Sequence, residues 1–461
     1  MSSSLDRLAA ATLLPSFPGL EAPEWVLRWA DRGLGGLTLF SYNVRDREQL
    51  RALADSLPGL LLAIDEEGGD VTRLEWQRGS SNPGNLALGE IDDVGLTEAV
   101  AARIGADLAA CGVGLNFAPV ADVNTNPDNP VIGVRSFGSD PELVARHVAA
   151  YVRGIQSQGV VACAKHFPGH GDTAVDSHLA LPVVEGDLAR ELIPFRAAID
   201  AGVGSIMTAH LIAPAYDDVP ATLSTRLLTG VLREELGYDG LVISDALEMK
   251  AVADLVGVEE AAVRSISAGA DALCVGHDLH EEAVERIHGA LVRAVASGRL
   301  PAERIEEAAE RVARATLRPA SSSPPPPEIG AEAARRALHV SGSAALSGTP
   351  YVLELTPVAN IAAGEASHSL AEILDAPGRR QAGLGDADVP ADRPVVVVLR
   401  DAGRHPWQRE IAADVAARRP DAVFVEVGLP GAPAPDGAGY VITYGAGRAN
   451  LEAAAAALRP G

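Results

Sequence analysis

The sequence predicts an α/β protein in which a (β/α)8 TIM-like barrel is followed by a smaller α/β sandwich domain. Three observations support this prediction: apolar runs alternate with helical patterns up to about residue 300, a Pro/Ser-rich segment follows, and strand-like runs resume after it. Strands that are apolar on both faces and alternate with helices indicate a parallel sheet with helical crossovers. At 461 residues, the chain also exceeds the usual size of a single-core domain.

Seven apolar runs in the first part of the chain read as strands, with helix-like segments between them. The predicted strands cover residues 35–41, 59–66, 113–120, 160–167, 204–210, 240–246 and 271–277. The predicted helices cover residues 97–111, 139–158, 187–201, 225–236, 257–268 and 280–299. Seven clear strands predict an eight-stranded barrel with one strand that the pattern does not reveal, and a doubly wound open sheet is the alternative.

A break in composition predicts the domain organisation. Residues 319–328 read PASSSPPPPE, and such a segment forms neither a helix nor a central strand. We therefore expect a barrel domain in residues 1–318, a linker in 319–328 and an α/β sandwich in 329–461. In the sandwich, a helix is predicted at 331–340, strands at 351–355, 394–400, 422–428 and 440–444, and a helix ending near Leu458.

Bulk composition excludes several classes of partner. The net charge of −24 argues against nucleic acid and anionic membranes, because binding either needs clustered cations. The N-terminus lacks the pattern of a signal peptide, and no apolar run is long enough to span a bilayer. Cys111, Cys163 and Cys274 lie in apolar segments without a C-x-x-C pair, so we expect buried, reduced thiols. These features predict a cytoplasmic protein. We expect it to be a monomer or a weak homo-oligomer.

Polar side chains gather at the carboxyl ends of four predicted strands. They are Asp65 and Glu66, Lys165 and His166, His210, and Asp245. Barrel active sites are built at this end of the strands. We therefore expect a binding or catalytic site there.

The densest cluster of reactive side chains is KHFPGHGDTAVDSH at residues 165–178, in which three histidines, two aspartates and a lysine alternate with turn-forming Gly and Pro. Two functional interpretations compete. His166, His170, Asp172 and His178 could hold a metal such as zinc or manganese. Alternatively, Asp176 orients His178, which then acts as a general acid and base near neutral pH. The spacing leaves both open.

A second candidate is Asp245 in GYDGLVISDALEMKAV, residues 237–252. A carboxylate where an apolar strand ends should project into the mouth of a barrel, although Asp in that place could equally cap the following helix. Enzymes that cleave glycosidic bonds need a carboxylate beneath the anomeric carbon, to attack the sugar and stabilise an oxocarbenium-like transition state. Asp245 is a candidate for this role.

Several segments together resemble glycoside hydrolase family 3. These segments are GGLTLFSYNV, AIDEEGGDVTRL, FAPVADVNTNPDNPVIGVRSFG, KHFPGHGDTAVDSH, IMTAH and GYDGLVISDALEMKAV, in that order. They are similar to the bacterial β-N-acetylglucosaminidase branch, the NagZ type, over residues 10–318. The domain at 329–461 resembles the α/β sandwich of two-domain members, with weaker motifs.

The resemblance implies a retaining exo-β-N-acetylglucosaminidase that needs no metal or cofactor. It implies Asp245 as the nucleophile and His178, paired with Asp176, as the general acid and base. The residues that it assigns to the sugar hydroxyls of the −1 subsite are Asp65, Arg135, Lys165 and His166, with His210 lining the same pocket. The implied substrates are small N-acetylglucosaminides, including muropeptide and chitin-type fragments. One departure is Asp70, because family members often carry Arg after Glu-Gly-Gly.

Three other functions remain open. A histidine tolerates an anionic acceptor that a carboxylate base would repel, so a phosphorylase that transfers the sugar to phosphate is the nearest alternative. A metal-dependent hydrolase that uses the 166–178 loop belongs to another class. A sugar-binding module without catalysis is the third.

Overall fold

The computed structural model describes residues 2–173, 181–276, 280–316, 318–357, 369–385 and 387–459. Eight short parallel strands surround a common axis in the first part of the chain. They are β1 Leu13–Pro15, β2 Gly36–Leu39, β3 Leu61–Ile64, β4 Leu115–Asn116, β5 Val161–Phe167, β6 Ser205–Thr208, β7 Leu241–Ile243 and β8 Leu273–Val275. The predicted barrel is therefore confirmed, and β1 is the strand that the sequence pattern did not reveal.

Strand pairing shows how the barrel closes. Strands β2 to β7 pair in sequence order, and β1 pairs with β8. A parallel bridge between Ile243 and Ala272 joins β7 to the start of β8. Between β1 and β2, the Thr38 hydroxyl donates to the Leu14 carbonyl at 3.2 Å. Apolar side chains such as Leu61, Leu115 and Ile243 fill the interior.

Helices alternate with these strands and cover the outside of the barrel. Their bounds are Ser2–Ala11, Glu24–Asp31, Arg47–Asp55, Asn85–Ile91, Val94–Ala110, Pro141–Ser157, Leu192–Asp200, Arg226–Glu235 (of π type), Lys250–Val256, Val258–Ala268, Glu281–Ala296 and Ala302–Arg314. Local chemistry explains where several begin. The side chain of Asp93 accepts from the Leu96 amide, and Asp140 accepts from the Glu142 amide ahead of a proline in the first turn.

The second part of the chain forms a six-stranded sheet. Its strands are β9 His339–Ser341, β10 Tyr351–Leu355, β11 Gly378–Gln381, β12 Val395–Leu399, β13 Val423–Glu426 and β14 Gly439–Ile442, in the spatial order β11-β10-β12-β13-β14-β9. All neighbours are parallel except β9 and β14. The helices are Ile329–Ala337, Leu370–Ile373, Pro406–Arg418 and Arg448–Leu458. The sandwich is confirmed, but the helix predicted at 331–340 ends at Ala337, where β9 soon follows.

The predicted linker, residues 319–328, contains no helix or strand. The domain boundaries at 318 and 329 stay a prediction. The helix Ile329–Ala337 contacts both halves of the molecule: Ala333 belongs to the barrel core, while Ala334 packs against Ala449 and Ala453. The two halves therefore share a packed interface.

None of the helices in the described ranges is long and apolar enough to cross a membrane. Cys111, Cys163 and Cys274 are free and buried, as the sequence predicts. Burial raises the pKa of the Cys163 thiol to about 12, so it stays protonated near neutral pH.

Candidate active site

A cavity of about 200 Å³ opens at the carboxyl ends of the barrel strands. Its lining residues bring together five of the sequence-predicted site residues, which are Asp65, Arg135, Lys165, His166 and Asp245. Pockets for drug-sized ligands start at about 300 Å³, so this cavity suits a smaller ligand such as a single sugar ring. The rest of its wall includes Thr38, Phe40, Glu67, Arg73, His170, Met207, Glu248 and Cys274.

Lys165 lies at the centre of the polar wall. It belongs to β5, its side chain is almost completely buried, and its Nζ lies 2.6 Å from Asp65 Oδ1 and 2.7 Å from Glu67 Oε1. Burial would lower the pKa of Lys165, but the two carboxylates outweigh it and raise that pKa above its usual value. Lys165 is therefore a fixed cation that can donate hydrogen bonds into the cavity.

Glu67 joins Lys165 to Arg135. The guanidinium contacts both carboxylate oxygens, with Nη2–Oε1 at 2.8 Å and Nε–Oε2 at 3.0 Å. Burial would raise the pKa of Glu67, but the charges of Arg135 and Lys165 overcome that effect and hold the pKa far below its ordinary value. This buried network fixes one carboxylate and two cations in one place. Arg135 itself lies in a short 3-10 turn, Gly133–Arg135.

Asp122 orients His166. The Asp122 carboxylate lies 2.8 Å from His166 Nδ1 and also accepts from the backbone amides of His166 and His170. In the neutral ring, donation from Nδ1 leaves Nε2 as the acceptor. His170 is buried, and burial lowers its pKa to about 4. Both rings therefore have defined orientations at the edge of the cavity.

Asp245 lies two residues beyond β7 and lines the cavity that also contains Lys165. The Ala246 amide donates to its Oδ1 at 2.7 Å. This contact orients the carboxylate at the barrel mouth, where the sequence places it.

His210 is completely buried, and the described residues that line the cavity do not include it. Its Nε2 lies 2.9 Å from the Ala246 carbonyl and its Nδ1 lies 2.8 Å from the Thr222 hydroxyl. The ring therefore contacts the backbone next to Asp245. The expectation that His210 lines the pocket stays a prediction.

Asp176 and His178 lie outside the described residues. The loop that leads to them begins with His170, whose Nδ1 lies 2.7 Å from the Thr173 hydroxyl. Asp172 accepts from the Thr125 hydroxyl at 3.0 Å. Among the described residues, no group of three or more His, Cys, Asp or Glu side chains is arranged to hold a metal ion.

Sequence reasoning missed three participants in the site. Glu67 follows two acidic residues at a strand end, and this position could have marked it as a candidate. Asp122 follows the predicted strand 113–120, and the same signal was present there. Arg73 Nη2 lies 3.8 Å from Asp65 Oδ2, and the sequence around it carries no comparable signal.

The family assignment follows from a comparison of the barrel with known proteins. Residues 20–315 match the glycosyl hydrolase family 3 N-terminal domain. The chain belongs to glycosyl hydrolase family 3. The match spans every barrel strand except β1 and contains the whole cavity, so the family's defining domain is the part of the chain that builds the site.

Two proteins that are similar to this family 3 chain are named as beta-hexosaminidases. It is 38% identical over 297 residues to "Beta-hexosaminidase A" of Pseudoalteromonas piscicida, and the alignment covers 58% of this chain and 48% of that protein. It is 38% identical over 290 residues to "Beta-hexosaminidase" of Chromobacterium violaceum, and the alignment covers 59% of this chain and 79% of that protein. The chain thus spans about half the length of the Pseudoalteromonas relative.

A solved structure matches both halves of the molecule. It is a glycoside hydrolase family 3 β-N-acetylglucosaminidase from Paenibacillus sp. str. FPU-7, with a TM-score of 0.87 and 33% identity. The alignment covers 98% of this chain and 96% of that one. The arrangement of barrel and second sheet is therefore shared with a solved family 3 structure.

Proposed function

We propose that this family 3 protein is a retaining exo-β-N-acetylglucosaminidase that removes terminal N-acetylglucosamine from small cell-wall or chitin-type fragments. The observation that carries the proposal is that Asp245 lines the same cavity as Lys165, Arg135 and Asp65. The names of the relatives support the substrate class.

The polar wall of the cavity suits a polyhydroxylated ring. Carboxylates such as Asp65 accept hydrogen bonds from hydroxyl groups, while Lys165 and Arg135 donate to hydroxyl oxygens. Lys165 and Arg135 also neutralise Asp65 and Glu67, so the wall adds little net negative charge opposite Asp245. The sugar therefore meets hydrogen-bond donors and acceptors that are fixed in position and whose charges largely cancel.

The proposed reaction has two steps. Asp245 attacks the anomeric carbon while His178, protonated and paired with Asp176, donates a proton to the departing oxygen. A covalent glycosyl-enzyme forms, and His178 then removes a proton from the incoming water, which releases the sugar. Two inversions at the anomeric carbon give overall retention of configuration.

We infer a cytoplasmic site of action and a monomeric or weakly oligomeric protein. The three free, buried cysteines support a reducing compartment. The cavity at the barrel mouth has a volume of only about 200 Å³, which supports small saccharide fragments as substrates.

Proton NMR of the reaction mixture tests the proposed function. With p-nitrophenyl β-N-acetylglucosaminide, we expect β-N-acetylglucosamine to form first and the α-anomer to appear only by mutarotation. Adding inorganic phosphate should leave the product unchanged, whereas formation of a glycosyl phosphate would identify a phosphorylase. Loss of turnover with a chelator and its return with metal would favour the metal-dependent hydrolase. No turnover of any N-acetylglucosaminide would contradict the enzyme proposal.

A further inference from the structure

A tight hairpin, residues 67–71, connects the sugar-binding cavity to the second domain. The Glu67 amide donates to the Val71 carbonyl at 3.0 Å, and the Val71 amide donates to Gly68 at 3.3 Å. The Gly69 amide donates to the Asn82 carbonyl at 2.8 Å. Glu67 at the base of the hairpin lines the cavity, whereas Asp70 lies near its tip.

The second domain holds the tip of this hairpin. The Asp70 side chain is almost fully buried and forms an ion pair with Arg400. The backbone amide of Ala446 donates to Asp70 Oδ1 at 2.7 Å. Packing at this contact is close, because a Cβ added to Gly447 would lie 2.9 Å from the Gly69 Cα. The hairpin is thus fixed from the side opposite the cavity.

Arg400 is itself held rigidly. It directly follows β12, and its backbone amide donates to Gln408 Oε1 at 2.9 Å. The Gln408 amide nitrogen donates back to the Arg400 carbonyl at 2.7 Å, and Gln408 is completely buried. The guanidinium therefore reaches Asp70 from an anchored backbone.

The contact between Asp70 and Arg400 lies close to the buried ion pair of Glu67 and Arg135 in the sugar-binding wall. A small cavity between the two domains is lined by Glu67, Asp70 and Arg135 from the barrel, and by Tyr444 and Gly445 from the second domain. A displacement of the hairpin tip would therefore be transmitted over three residues to Glu67. Glu67 in turn sets the positions of Arg135 and Lys165.

We propose that Arg400 of the second domain is a positioning residue for the sugar-binding cavity, acting through Asp70 and the hairpin 67–71 on Glu67. The inference rests on the proposed function only for its kinetic readout. It assigns the second domain a direct part in substrate binding, beyond stabilising the barrel.

Two variants and their combination test this positioning role. Arg400→Met and Asp70→Asn should each lower kcat/KM for p-nitrophenyl β-N-acetylglucosaminide by about tenfold, mainly by raising KM, since a misplaced Glu67 loosens the groups that hold the sugar. The double variant should lose no more than either single variant, because the two residues act as one unit. If Arg400→Met does not fold, Arg400→Lys keeps the charge and should show a smaller loss of the same kind.

Arg448→Met is the matched control. Arg448 also belongs to the second domain and pairs with a barrel residue, Glu75, at 3.2 Å, with a side chain about as exposed as that of Arg400. Arg448 contacts the barrel at Glu75, which follows the hairpin 67–71 in the chain. Losing this ion pair should therefore lower the unfolding temperature and leave kcat/KM within about twofold of the wild type.

Hydrogen exchange of the backbone amides provides a readout that needs no activity. We expect the peptide containing residues 67–71 to exchange faster in Arg400→Met than in the wild type, with no such change in Arg448→Met. If the wild type turns over no substrate, the proposed function fails and the exchange result alone decides the positioning role. Equal kinetics and equal hairpin exchange in the two Arg→Met variants would overturn the inference.

Discussion

At the residue scale, Asp245 and Glu67 are both carboxylates on one cavity, and their surroundings assign them different tasks. Glu67 is buried between Arg135 and Lys165, which hold its charge in place. Asp245 accepts from the Ala246 amide at 2.7 Å. A carboxylate bound bidentately by a guanidinium is a poor nucleophile, so we propose Asp245 rather than Glu67 for the covalent chemistry.

Asp245→Asn should lower kcat by about a thousandfold or more while changing KM little, because the amide cannot attack the anomeric carbon. Steady-state kinetics with p-nitrophenyl β-N-acetylglucosaminide measures this. The circular dichroism spectrum and the unfolding temperature should match the wild type, which separates lost chemistry from lost structure. A variant that retains more than a tenth of wild-type kcat would contradict the role of Asp245.

Glu67→Gln should destabilise the fold as well as weaken sugar binding. Removing the carboxylate leaves Lys165 and Arg135 as buried cations with one partner fewer, and breaking a buried pair costs about 3–5 kcal/mol. Urea unfolding measures the loss, with the exposed pair of Arg153 and Glu98 as a control, for which Glu98→Gln should cost below about 1 kcal/mol. A Glu67→Gln variant as stable as Glu98→Gln would show that the network is not coupled.

Residues at strand ends were predictable, and the contacts around them were not. Asp65, Lys165, His166 and Asp245 follow or end apolar runs, and the geometry of a parallel barrel requires such positions to converge. The contacts of His210 could not be predicted. Its ring contacts the Thr222 hydroxyl, 12 residues further along the same connection, and the Ala246 carbonyl, which follows a different strand.

At the element scale, the loop after β3 is wrapped around a second buried carboxylate. Glu66 Oε2 accepts from the Thr72 hydroxyl and from the amides of Arg73 and Leu74. Burial nevertheless raises its pKa to about 7, from an ordinary value near 4.5. The loop therefore closes around a carboxyl group that keeps its proton to a higher pH in the folded state than in the unfolded chain.

This raised pKa predicts how stability depends on pH. Between pH 4.5 and 7 the folded protein keeps a proton on Glu66 that the unfolded chain has lost, so this contribution to stability is full below pH 4.5 and falls as pH rises towards 7. Glu66→Gln imitates the protonated side chain. It should match the wild type in urea unfolding at pH 4 and be more stable by about 3 kcal/mol at pH 8. Equal stabilities at pH 8 would contradict the assigned pKa.

Strands and helices with clear apolar patterns were predicted well, and short or polar ones were not. Each of the seven predicted barrel strands contains an observed strand. The missed β1 has three residues and ends in Pro15, so it is too short to show a pattern. In the second sheet, the three residues of β9 are all exposed and β11 reads GRRQ, so both edge strands lack the apolar signal of buried strands.

At the scale of the whole molecule, the barrel and the second domain meet through backbone as well as through charge. Gly447 packs against Gly69 so closely that a methyl group would collide with backbone atoms. Composition alone predicts a break between the domains at the Pro/Ser-rich segment. It gives no information on the contact between Gly69 and Gly447, because the two glycines are almost 400 residues apart in the chain.

Gly447→Ala should therefore lower the unfolding temperature and raise KM, because the methyl group pushes the second domain away from the hairpin 67–71. Gly230→Ala is the control, since its Cβ would meet only the flexible Arg226 side chain in a surface helix, and it should be neutral or stabilise by up to about 1 kcal/mol. Differential scanning fluorimetry and kinetics measure both. Identical behaviour of the two alanine variants would mean that the contact does not affect the site.

In the proposed mechanism a single carboxylate, Asp245, becomes covalently bonded to the sugar. A slow 2-fluoro glycosyl substrate should trap this adduct, which protease digestion and mass spectrometry would locate. We expect one label per chain, on the peptide that contains Asp245, and no label on Asp245→Asn. A label on another residue, or inactivation without any covalent adduct, would rule out Asp245 as the nucleophile.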